Sequence, residues 1–212
     1  MWYPVKTPSF AKVILPDLCW NFNKSQKDLY LTFDDGPHPE ITPWVLELLE
    51  KYQAKGTFFC VGENVEKYPN VIQTIKDQGN SLGNHTFNHL NGWKTPLEMY
   101  LDNIKKSFDT FENLCFKTNL FRPPYGKLNL ASKLQLKKWN TKIVMWDVLS
   151  GDFDSEITPE KCFKNVVENA QNGSIIVFHD SLKAELNLRY VLPKVLDYFS
   201  EKGYRFKAIE ET

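Results

Sequence analysis

The feature that most constrains this chain is an alternation. Short apolar runs of strand length recur, separated by segments with helical periodicity. Residues 29–33, 56–61, 120–121, 142–146, 174–178 and 204–209 read as strands. Between them lie stripes of helical spacing. One is Trp44, Val45, Leu48, Leu49 and Tyr52; the next is Val65, Tyr68, Val71, Ile72 and Ile75. Others are Leu97, Leu101, Ile104, Phe108 and Phe111, and Val191, Leu192, Val195, Leu196 and Phe199. Thr42-Pro43, Thr95-Pro96 (with Glu98 placed for a capping box) and Thr158-Pro159 read as helix starts; Gly79, Asn172-Gly173 and Gly203 read as stops. Strands without a polar face need cover on both sides, which means a parallel sheet with helical crossovers. About seven such units leave a barrel or an open doubly wound sheet. No glycine-rich phosphate loop follows the first strand, which disfavours a nucleotide-binding fold.

The chain of 212 residues is within reach of one α/β domain. A single domain is expected over residues 1–212. Lysine plus arginine, 26, balance aspartate plus glutamate, 26. The basic excess that nucleic acid or an anionic membrane calls for is missing. The longest apolar runs, 143–146 and 175–178, are four residues each; a membrane span needs about 20. Pro4 and Pro8 interrupt the N-terminus and no secretory core is visible there, which tilts the expectation toward the cytoplasm. The cysteines (19, 60, 115 and 162) form no C-x-x-C pair and read as free thiols, most of them buried, with no metal role. Nothing in the sequence sets an oligomeric state.

In parallel α/β sheets active residues gather at the carboxyl ends of the strands. Three of the four histidines fall at such places: His85, His89 and His179. His85 and His89 are four apart, and a helical turn would put both on one face, able to share a metal ion. With one carboxylate as third ligand they suit zinc or a similar borderline cation, with a position left open as in catalytic sites. Asp34-Asp35 ends the first strand. Adjacent strand residues point to opposite faces, so both reach one site only through the bend that Gly36-Pro37 supplies. Two close carboxylates repel unless a cation lies beside one of them. That favours a division of labour between a ligand and a base.

Several motifs together carry a family resemblance. Thr32-Phe33-Asp34-Asp35-Gly36, His85-Thr86-Phe87-Asn88-His89, Arg122-Pro123-Pro124-Tyr125 and Val177-Phe178-His179 stand in the order of the first, second, third and fifth motifs of the polysaccharide deacetylases. The chain resembles that family, the NodB-homology domain of carbohydrate esterase family four, over roughly residues 28–209. The resemblance implies a distorted, incomplete (β/α) barrel of about seven parallel strands. It implies Asp35, His85 and His89 as metal ligands for zinc, with cobalt or nickel as alternatives. It implies Asp34 as general base, Arg122 as its partner, His179 as general acid, and Tyr125 as donor of a backbone N–H to the oxyanion. The fourth motif departs: in Trp146-Asp147-Val148-Leu149-Ser150-Gly151-Asp152-Phe153, Leu149 stands where the family's first Asp belongs, Asp152 keeps the second, and Phe153 replaces Trp. Asp152 is expected to orient His179.

The implied function is removal of acetyl groups from N-acetylglucosamine-containing oligo- or polysaccharide, with the carbohydrate as partner. An O-acetyl polysaccharide esterase or a catalytically impaired carbohydrate-binding relative are the alternatives. Other residues read blandly: His38 as a rim residue, Asp180 as a helix cap, Asp147 as a solvated turn residue and Asn80 as structural. Trp93, Trp146 and Phe153 read as core rather than sugar platforms.

Overall fold

The computed structural model describes residues 3–210. Eight strands make one sheet: β1 (Asp28–Asp34), β2 (Gly56–Cys60), β3 (Ser81–Asn84), β4 (Leu120–Phe121), β5 (Lys142–Ile143), β6 (Val148–Leu149), β7 (Ile175–His179) and β8 (Arg205–Phe206). The spatial order is β5-β4-β3-β2-β1-β7-β6, and β8 pairs with the start of β1. Every ladder among them is parallel. The sheet curls into the incomplete barrel that the motifs implied.

Among the described residues α1 (Ser9–Ile14) precedes β1, and seven further α-helices lie between the strands: α2 (Ile41–Lys51), α3 (Gly62–Lys67), α4 (Pro69–Asp77), α5 (Leu97–Asn113), α6 (Leu130–Lys138), α7 (Pro159–Val167) and α8 (Glu185–Glu201). No helix among the described residues is long and apolar enough to cross a membrane. Leu29, Leu31 and Phe33 of β1, Phe58 of β2 and Ile176 and Phe178 of β7 pack outward against Val45, Leu46 and Leu49 of α2 and Leu192, Val195 and Leu196 of α8. All are essentially fully buried. Burial of each such side chain contributes about 1.5–3 kcal/mol. The alternate residues, Thr32 and Asp34 of β1, Phe59 of β2 and His179 of β7, turn to the other face. The period-two pleat therefore separates a structural face from a chemical one.

The barrel's gap is closed by the N-terminal segment. Lys6 bridges to Val148 of β6 and Cys19 to Val144 beyond β5; Leu149 N–H donates to Val5 O and Met145 N–H to Cys19 O. Both edge strands are thus covered by the same strap. Asp147, expected in a solvated turn, is fully buried under it. Its carboxylate receives Lys6 Nζ at 2.6 Å, Lys12 Nζ at 2.5 Å and Ser174 Oγ at 2.5 Å. The basic partners lie some 140 residues away in sequence, beyond the reach of local patterns.

Several boundaries differ from the sequence reading. β3 was missed, because Ser81-Leu82-Gly83-Asn84 lacks the β-branched run of a typical strand. β6 has two residues and was also missed. The last strand is confined to Arg205–Phe206, and the one expected over 142–146 stops at Ile143. The expected helix through Tyr68 is two helices, α3 and α4, broken where Pro69 opens the second. Thr42 lies inside α2 rather than at its cap. The cap position is Glu40, whose side chain makes no capping bond; two residues earlier His38 Nδ1 accepts from Glu40 N–H and Ile41 N–H at 3.3 Å. α5 carries no side-chain cap, so the box at Glu98 does not form. Thr158 does cap α7, accepting from Lys161 N–H at 3.2 Å. α7 ends at Val167, before Asn172-Gly173. All four cysteines are free thiols; Cys60 and Cys162 are buried, Cys19 partly so, and Cys115 is exposed.

Candidate active site

The site lies at the carboxyl ends of β1, β2, β3, β4 and β7. Asp34 and His179 are register neighbours on β1 and β7. Asp34 is almost fully buried, and Arg122, wholly buried at the end of β4, is its partner: Nη1 donates to Asp34 Oδ1 at 2.7 Å. The guanidinium is held on every other side. Nη1 donates to Thr32 Oγ1 (2.7 Å), Nε to Val144 O (3.2 Å) and Nη2 to Met145 O (2.9 Å), and its carbon sits 4.1 Å from the Phe59 ring centroid. An arginine held by four hydrogen bonds fixes one orientation of the carboxylate it pairs with.

The chain then bends at Asp35, whose φ is 77°. Every carbonyl of this bend is pinned: Asp34 O accepts from Asp180 N–H (3.2 Å), Asp35 O from Asn64 Nδ2 (2.9 Å) and Gly36 O from Val61 N–H (2.9 Å). Asp180 is no helix cap. It is buried beneath the bend, its Oδ1 accepting from Gly36 N–H at 3.2 Å and its Oδ2 from Thr42 Oγ1 at 2.5 Å. Gly36 is required here, since a Cβ would lie 2.2 Å from Asp180 Oδ2. Burial raises the Asp180 carboxyl to about 7, against the Thr42 hydrogen bond. The sequence offered only its adjacency to His179 as a signal.

His85 and His89 meet Asp35, though not on a helical turn. They sit on the loop after β3, where Thr86 (φ 65°) and His89 (φ 55°) are left-handed. Asn84 Oδ1 accepts from Thr86 N–H at 2.7 Å, and Asn103 Oδ1 from Phe87 N–H at 2.8 Å, which holds the loop. The ligand atoms of Asp35, His85 and His89 lie within 4.8 Å of one another. His85 Nδ1 lies 2.7 Å from Arg122 O and donates to it, so Nε2 presents a lone pair. Burial pushes the His85 imidazole down to about 4. Burial opposes charge on Asp35, but His89, His179 and His85 together hold its carboxyl below the usual carboxylate range. Its Oδ1 is 3.1 Å from His89 Nε2 and 3.7 Å from His85 Nε2, yet makes no hydrogen bond. A buried carboxylate oxygen without a proton donor, facing two imidazole nitrogens, fits a divalent cation.

His179 Nδ1 lies 2.8 Å from Asp152 Oδ1, and its backbone N–H donates to Asp152 Oδ2 at 2.7 Å. Burial works against charge on this imidazole, but Asp152, with Asp35 and Asp34 behind it, raises it to about 9. Ser150 Oγ, at 3.0 Å, donates to the same Asp152 oxygen. Leu149, in the departing position, is 7% exposed and does not disturb this pair. Phe153 stands edge-on to His179 with centroids 5.1 Å apart. Tyr125 has a φ of 60°. Its hydroxyl lies 3.1 Å from His89 Nδ1. Were His89 to serve as a ligand through Nε2, its Nδ1 would donate to that hydroxyl. Thus all eight sequence-predicted residues converge on one patch, while Thr32, Asn64, Asn84 and Asp180 are supports that motif spacing does not reveal.

A carboxylate paired with arginine and an imidazolium paired with carboxylate, side by side, can take a proton from water and give one to a leaving group. That is the equipment of a hydrolase. Comparison with known proteins assigns the class to a family: the polysaccharide deacetylase family model matches residues 22–144, more than half of the chain. The chain belongs to this family of amide hydrolases. It is 33% identical over 193 residues to a peptidoglycan-N-acetylglucosamine deacetylase of Bacillus cereus, covering 91% of each chain. It is 34% identical to a chitooligosaccharide deacetylase of Azorhizobium caulinodans over 164 residues, 74% of this chain and 75% of that one. The crystal structure of the Bc1960 peptidoglycan N-acetylglucosamine deacetylase superposes with a TM-score of 0.87 at 30% identity, covering 98% of this chain and 95% of that one.

Proposed function

We propose that this protein is a divalent-metal-dependent N-deacetylase of N-acetylglucosamine-containing oligo- or polysaccharide. The observation that carries the reading is the Asp34–Arg122 pair beside the Asp152–His179 pair, next to the Asp35/His85/His89 cluster. These three ligands would hold the cation, zinc first by ligand type. A cation there supplies polarisation of the acetyl carbonyl and a more acidic water.

The chain's own residues do the proton work. Asp34, fixed by Arg122, accepts a proton from the water as its oxygen bonds to the acetyl carbon. The Tyr125 N–H donates to the developing oxyanion. The imidazolium of His179, kept charged by Asp152, gives its proton to the sugar nitrogen as the carbon–nitrogen bond breaks. The products are acetate and a free amino sugar. The experiment is acetate release from N-acetylglucosamine oligomers by metal-stripped protein, with and without zinc or cobalt. Release that depends on the added metal supports the reading. Release from O-acetylated xylan alone replaces it with an esterase, and release unaffected by chelation removes the metal.

A further inference from the structure

Two rings expected in the core lie outside it: Trp93 is 64% exposed, and Phe153 is only half-buried. Phe153 is the one that is tied to the site. Its ring touches two others. His179 is edge-on at 5.1 Å between centroids, and Tyr3, from the far end of the chain, is tilted by 48° at 5.2 Å. The Tyr3 hydroxyl donates to Asp154 Oδ2 at 3.0 Å. Burial, with Asp154 beside it, raises the phenol above its ordinary range, so it keeps the proton that it donates. Gly151 gives the hydroxyl its room: a Cβ there would lie 2.8 Å from Tyr3 Oη.

Tyr3 is therefore packed on both sides of Asp152 and Phe153, the residues that pair with and wall His179. The turn over residues 150–154 has other holds. Asn165 Nδ2 of α7 donates to Ser150 O at 2.9 Å, and Asn187 Nδ2 of α8 to Asp152 O at 3.0 Å. Both bonds fix backbone carbonyls; the Tyr3 ring packs on the Phe153 side chain itself. The strap anchors Tyr3 in turn. Two residues on, Val5 O accepts from Leu149 N–H at 2.8 Å, and Lys6 Nζ reaches the buried Asp147 at 2.6 Å. The start of the strap is thus bound to the turn that carries the imidazole's partners.

We propose that Tyr3 is a positioning residue for the proposed acid: through Phe153 and the turn around it, the N-terminal strap holds the His179 imidazole where the leaving nitrogen can take its proton. The proposal rests on the deacetylase reading above. A misplacement of about 1 Å is enough to slow a catalysed step severely. Loosening this wall therefore slows the step that needs the acid and spares those that do not.

Two leaving groups tell these apart. The amine of an N-acetylated sugar leaves only with a proton. In 4-nitrophenyl acetate the carbon–oxygen bond breaks to release 4-nitrophenolate, which needs none, while the proton of the attacking water still goes to Asp34. The test measures kcat and KM on both substrates, with zinc, for the parent, Tyr3→Ala and Tyr3→Phe, and checks zinc stoichiometry and the urea midpoint in each. In Tyr3→Ala, kcat on the N-acetylglucosamine tetramer falls about tenfold with KM nearly unchanged, while hydrolysis of 4-nitrophenyl acetate changes by less than about twofold. Tyr3→Phe, which keeps the ring on Phe153, recovers most of that kcat. Parental kcat in Tyr3→Ala overturns the proposal. So does an equal loss on both substrates, which marks a purely structural role. A parent that hydrolyses the ester but releases no acetate from any N-acetylated sugar overturns the deacetylase reading, and the proposal with it.

Discussion

Replacing Asp152 by Asn tests the acid directly. In the folded protein the His179 imidazole titrates near 9 instead of 6.5, although burial opposes its charge. That rise is worth on the order of 3 kcal/mol of preference for the imidazolium. Asp152 is its largest favourable source and is fully buried, so solvent screens the pair little. Asn keeps the shape and still accepts from His179 N–H, but burial is then opposed only by the smaller influences of Asp35 and Asp34, and the midpoint falls. Each pH unit by which the midpoint falls below the working pH costs about tenfold in protonated fraction, so at about pH 8 deacetylation slows by on the order of tenfold or more. The assay is a histidine titration by NMR in metal-free protein, together with acetate release from pH 6 to 9.5. A bound cation lowers the midpoint by repulsion, so the metal-free titration is the direct comparison. The stability follows with a definite sign. A folded pKa above the unfolded value stabilises the protein below about pH 6.5, and the gain fades as pH rises through about 9. The urea midpoint of the parent therefore falls between those values, and that of Asp152→Asn does not. A parent midpoint below 7, or one that Asp152→Asn leaves in place, refutes the reasoning.

Arg122→Met leaves Asp34 buried without its partner and is expected to lower unfolding free energy by about 3–5 kcal/mol. Adding Asp34→Asn restores part of that stability in urea unfolding but no activity; equal loss in the double variant contradicts the pairing. Tyr125→Phe keeps the ring against His89 and deletes the hydroxyl, so zinc binds on the order of tenfold more weakly; competition with a chromophoric chelator reads this, and parental affinity rules it out. Gly36→Ala drives a methyl into the Asp180 carboxylate and costs about 1–3 kcal/mol or more. At Gly203, where φ is 74° and nothing lies within 4 Å, alanine costs only about 1–2 kcal/mol of backbone strain. Urea unfolding of the two variants side by side separates the collision from the strain.

The candidate chemistry was legible in the sequence because proton transfer and ligation restrict residue types. Asp34, Asp35, His85, His89 and His179 are of the types such work calls for; Asp34, Asp35 and His179 stand at strand ends that apolar patterning can locate, whereas the strand before His85 carries no such pattern. The local geometry was less legible. The spacing of His85 and His89 suggested a helical turn, but the loop converges them through left-handed Thr86 and His89. Asp35 and Tyr125 are left-handed as well. Such conformations are costly for residues with a Cβ and are kept only where surrounding contacts over-determine them. Here Asn84, Asn64, Asn103 and Asp180 supply those contacts, and none lies in a periodic pattern.

Buried charge was the least legible feature, for a related reason. Asp147 and Asp180 each resemble ordinary surface acids until their partners are known. Lys6 and Lys12 reach Asp147 from the other end of the chain, and Gly36 and Thr42 reach Asp180 across about 140 residues. A buried carboxylate is tolerated only when fully paired, so both mark places where the fold must close correctly before the site can exist. Asp147 holds the strap over the open edge of the barrel. Asp180 holds the bend that carries Asp34 and Asp35, and it directly follows His179. One dipeptide at the end of β7 thus supplies the proposed acid and the anchor of the proposed base, which couples the separation of those two groups to the pairing of β1 with β7.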